Sequence, residues 1–85
     1  MNDEQRRGEE AKRILAEPLV VEAFAEVEAA ILANLRTVDV GAMDAMRDWV
    51  VSLQLLGKVK QHIEQVMVTG ELSALANSDQ KTRIA

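Results

Sequence analysis

The 85 residues include no cysteine and carry a formal net charge of -4, which excludes disulfide frameworks and thiolate metal sites and disfavours nucleic-acid binding through clustered lysines and arginines. Hydrophobic residues make up 48% of the chain, but no apolar run reaches the ~18 residues of a membrane span, and the N-terminus lacks the apolar core of a signal peptide. We therefore expect one small, soluble, cytoplasmic domain over residues 1–85, stabilised by a partner or by close helix packing.

The composition favours helices throughout the chain. Alanine, leucine, valine and methionine occur with glutamate, lysine, glutamine and arginine, aromatic residues make up only 2%, and no segment alternates like a strand. The fold class predicted from these features is all-α.

Residues 1–16 mix both charges and predict a short N-terminal helix. Glu9 and Arg13 have the favourable acid-first spacing of four, whereas Gly8 costs about 1 kcal/mol in a helix interior. We therefore expect a frayed start that becomes helical near Glu9. Pro18 suits the first position of a helix, so the spacing predicts a break at residues 16–17 and a new helix over residues 18–36.

The second helix is predicted to pair with a longer one over residues 40–69. The connection at residues 37–41 is short, which favours antiparallel neighbours, with Asp39 as the N-cap of the long helix. Gly70 resembles a C′ glycine that ends the helix. Residues 76–85 lack periodicity and are expected to form a flexible tail. The predicted architecture is an antiparallel helical hairpin with a short N-terminal helix.

The long helix has more apolar positions than one partner helix could cover. Met46, Leu53 and Leu56 belong to the face expected to meet the second helix, whereas further apolar residues lie outside that face. Covering them by symmetry predicts a dimer or a ring of copies. Gly57 inside the helix has two interpretations, close approach of another helix or chance tolerance. The predicted interface residues are Trp49, Val51, Leu55, Val59, Val66, Val21 and Leu32.

No catalytic, cofactor or metal site is predicted. His62 is the only histidine, and one imidazole does not make a metal site; a pH-sensitive contact is the one special role that it retains. Glu22, Glu26 and Glu28 fit a solvated helix face better than an acid–base pair, which needs a pocket that shifts pKa values. We expect a protein that is not an enzyme.

Two longer stretches resemble a family pattern. AKRILAEPLVVEAFAEVEAAIL contains a proline-started acidic opening, and MRDWVVSLQLLGKVKQHIEQVMVTGELS ends in a glycine and leucine motif. The residues that carry the two motifs are Ile14, Leu15, Pro18, Leu19, Glu22, Ala23 and Phe24, then Glu64, Gly70 and Leu72. Residues 11–75 thereby resemble small α-helical proteins, mostly uncharacterised, of tailed bacteriophages. The resemblance implies a phage-encoded helical protein and carries no catalytic residue.

Three hypotheses on function follow, which differ in partner and not in fold. The first is a non-enzymatic phage assembly or virion-associated protein that contacts itself and another phage or host protein through helices, in the host cytoplasm or in the virion. The second is a DNA-packaging adaptor similar in role to a small terminase subunit. The third is a small regulator that inhibits a host protein.

Overall fold

The computed structural model describes residues 2–84, with side chains described for residues 2–78. The helices are α1 (Asp3–Ala16), α2 (Pro18–Thr37) and α3 (Met43–Ile84), and no strand occurs in the described range. The all-α prediction is confirmed. Two compact units divide the chain: unit 1 comprises Met1–Glu17 and Gln61–Ala85, and unit 2 comprises Pro18–Lys60. The prediction of one domain over residues 1–85 stays a prediction.

The start of α1 lies six residues before the predicted one, because a capping box holds it. The backbone N–H of Gln5 donates to Asn2 Oδ1 at 2.8 Å, and the Asn2 N–H donates to Gln5 Oε1 at 3.0 Å. These two bonds satisfy donors that a helix start leaves free. The predicted frayed lead-in up to Glu9 is therefore wrong.

The predicted break before Pro18 is confirmed. Glu17 is extended, with φ -67° and ψ 121°, as the residue before a proline favours. Its N–H donates to the carbonyl of Ile14 at 3.1 Å, which closes α1, and α2 starts at Pro18 itself. One residue thus separates two helices.

Asp39 does not cap α3 as predicted. It organises the preceding turn instead: the Gly41 N–H donates to Asp39 Oδ1 at 3.3 Å, and the Ala42 N–H donates to the Asp39 carbonyl at 2.9 Å. The first helical bond runs from the Met46 N–H to the Ala42 carbonyl at 3.0 Å. The helix therefore begins at Met43, three residues later than predicted.

The predicted end of the long helix at Gly70 is also wrong. No glycine in the described residues has a positive φ, so Gly70 lacks the left-handed conformation of a C′ residue. The backbone of α3 continues through Gly70 to Ile84. Residues 76–84 of the predicted tail are helical, and Ala85 lies outside the described residues.

The core is shallow. Among the described side chains, Ala11 and Ile31 are the buried hydrophobic ones. Thirteen large hydrophobic side chains are exposed in the same described range. Much apolar surface that a larger core would bury is therefore left in contact with water.

Candidate helix-contact surfaces

Two glycines form the closest helix contact in the described part of unit 1. A Cβ built on Gly8 would lie 2.7 Å from Gly70 Cα, and one built on Gly70 would lie 2.7 Å from Gly8 Cα and 2.9 Å from the Glu4 carbonyl oxygen. Both glycines are buried, as is Ala11, one helix turn after Gly8. The backbones of α1 and α3 touch here, and any side chain at either glycine would push them apart.

A polar contact lies beside this crossing. The Asn2 side chain donates through Nδ2 to Ser73 Oγ at 2.8 Å, while its oxygen caps α1. One side chain thus joins the start of α1 to α3 and explains why α1 is ordered from its first turn. The sequence analysis missed Asn2, Gly8 and Ser73 as contact residues. Only the Asn2 and Gln5 capping-box spacing could have been recognised locally.

Three of the predicted interface residues form an exposed stripe on α3 within unit 2. Val51, Leu55 and Val59 expose 42%, 56% and 55% of their surfaces. Their spacing of four residues places them along one side of the helix. We call these three residues the valine-leucine stripe. Nothing within the described residues of unit 2 covers it.

The other predicted interface residues do not join this stripe. Val21 on α2 is 52% exposed, whereas Leu32 and Trp49 are half-buried. Val66 is half-buried in unit 1, where its carbonyl oxygen lies 3.3 Å from a Cβ built on Gly8. The structure therefore assigns part of the Val66 environment to α1. The use of these residues in an interface stays a prediction.

Gly57 has open space around it. A Cβ built there meets no atom within 4 Å, so no helix of the described part of unit 2 approaches this position closely. The two glycines of α3 consequently have opposite environments. Gly70 requires a hydrogen in place of a side chain, and Gly57 does not.

His62 lines an open groove in unit 1 between α1 and α3. The groove residues are Glu4, Arg7, His62, Gln65, Val66 and Thr69. Among the described residues no group of three histidine, aspartate or glutamate side chains could hold a metal ion. Glu22, Glu26 and Glu28 are all exposed on α2.

The ion pair of the described residues joins Arg6 to Asp3 on the surface of α1. An exposed pair of this kind contributes little to stability. In unit 1, the glycine crossing and the bond from Asn2 to Ser73 join α1 to α3.

Comparison with protein-family models, with curated proteins and with solved structures finds no match to the chain. Among the described residues, no helix is long and apolar enough to cross a membrane. The argument on function consequently rests on the exposed helix faces themselves.

Proposed function

We propose that the protein is a non-enzymatic assembly protein that acts through helix-mediated contacts with itself and with a second protein. The observation that carries the proposal is the amount of exposed apolar surface on a shallow core. Thirteen large hydrophobic side chains are exposed in the described residues, and three of them form the valine-leucine stripe. Exposed apolar side chains that lie side by side, as in this stripe, mark protein contact sites.

An antiparallel hairpin of α2 and α3 is part of this proposal. Residues 38–42 form a short turn between α2 and α3, and connections of this length favour antiparallel neighbours. In such a hairpin the half-buried Trp49 faces α2, whereas Leu55 lies on the outer side of α3. The outer side would then serve assembly.

The biological setting follows from the sequence resemblance. A tailed-phage protein with this surface would be an assembly or virion-associated protein in the host cytoplasm or in the particle. The net charge of -4 favours a protein partner over the DNA that a packaging adaptor would contact. Inhibition of a host protein would use the same surface with a different partner.

Self-association is tested by light scattering on a concentration series of the wild-type chain and of the Leu55→Lys/Val59→Lys double variant. The wild type is expected to exceed the monomer mass, and the double variant is expected to approach it, since two lysines place charge inside a desolvated contact. The matched control, Gly57→Lys/Gln61→Lys, adds the same charge at exposed positions on the opposite side of α3 and is expected to retain the wild-type mass. A wild type that is monomeric at every concentration would contradict the proposal.

The second partner is tested in lysates of infected cells. Assembly predicts co-sedimentation of the chain with capsids or particles and loss of that co-sedimentation in the double variant. Retention on nucleic acid that falls steeply with salt would instead favour the packaging adaptor. A complex with a host protein in the absence of particles would favour the inhibitor.

A further inference from the structure

We draw no further inference here: the strongest candidate, the open groove of unit 1 that Glu4, Arg7 and His62 line between α1 and α3, carries none, because its charges are mixed and, among the described residues, no buried polar side-chain atom without a hydrogen-bond partner points to a ligand.

Discussion

The two glycines of α3 allow the α1–α3 contact to be tested by the same substitution at two sites. Alanine is favoured over glycine in a helix interior by about 1 kcal/mol. At Gly57 the new methyl group meets open space, so Gly57→Ala is expected to stabilise the chain. At Gly70 the methyl group would lie 2.7 Å from Gly8 Cα and 2.9 Å from the Glu4 carbonyl oxygen, so the same change is expected to separate α1 from α3.

The steric cost at the crossing follows from subtracting the effect of one substitution from that of the other. Both substitutions gain the same helix propensity, so the difference between their effects on the free energy of unfolding isolates the steric cost at the crossing. Overpacking costs about 1–3 kcal/mol, and backbone atoms cannot rotate away as a flexible side chain can. Gly57→Ala should therefore raise the melting temperature by about 4–8 °C, and Gly70→Ala should lower it or leave it unchanged.

The assay is urea and thermal denaturation followed by circular dichroism, at one protein concentration for every variant because self-association shifts apparent stability. Hydrogen exchange on α1 locates the effect: Gly70→Ala and Gly8→Ala should both speed exchange there, and Gly57→Ala should not. If Gly70→Ala stabilised the chain as much as Gly57→Ala, the close crossing would be refuted.

Two further pairs of substitutions test the N-terminal cap of α1 and the core position of α2. Asn2→Ala removes the cap of α1 and should lower the free energy of unfolding by about 0.5–2 kcal/mol. Ser73→Ala removes only the exposed contact with Asn2 Nδ2 and should lower it by less. Equal losses would contradict the role of Asn2 as a cap. Ile31 is buried, so Ile31→Ala should lower the free energy of unfolding by about 2–5 kcal/mol. Val27 is half-exposed, so Val27→Ala should lower it by less than half of that amount. Similar losses for the two variants would show that Ile31 is not the core position.

The fold class and the first helix boundary were predictable because their causes are local. Helix-forming composition fixes the all-α class, and Pro18 restricts the residue before it, so the break at Glu17 could be placed from two neighbouring residues. The capping box of Asn2 and Gln5 is equally local, and its spacing is present in the sequence. The early start of α1 could therefore have been predicted from the sequence.

The structural roles of the glycines could not be predicted in the same way. A glycine that ends a helix, one that permits a close crossing and one that is merely tolerated are the same residue in the sequence, and only the partner distinguishes them. Gly70 was predicted to end α3, but it contacts Gly8 instead. For Gly57, close approach of another helix was one of two interpretations, and the position has open space around it. The partner of Gly70 lies at the other end of the chain, beyond the range of any periodic pattern. The direction and extent of the exposed stripe, by contrast, follow from residues four apart.

The Asn2–Ser73 contact spans 71 positions of the sequence, and this separation orders events during synthesis. Unit 2 is one continuous segment, whereas α1 leaves the ribosome before unit 2 and its contact surface on α3 leaves after unit 2. At 5–20 residues per second, the delay between Asn2 and Ser73 is roughly 4–14 s. During that interval Gly8 lacks Gly70, its contact on α3, so α1 is made before unit 2 and meets its partner surface only after unit 2 has been made.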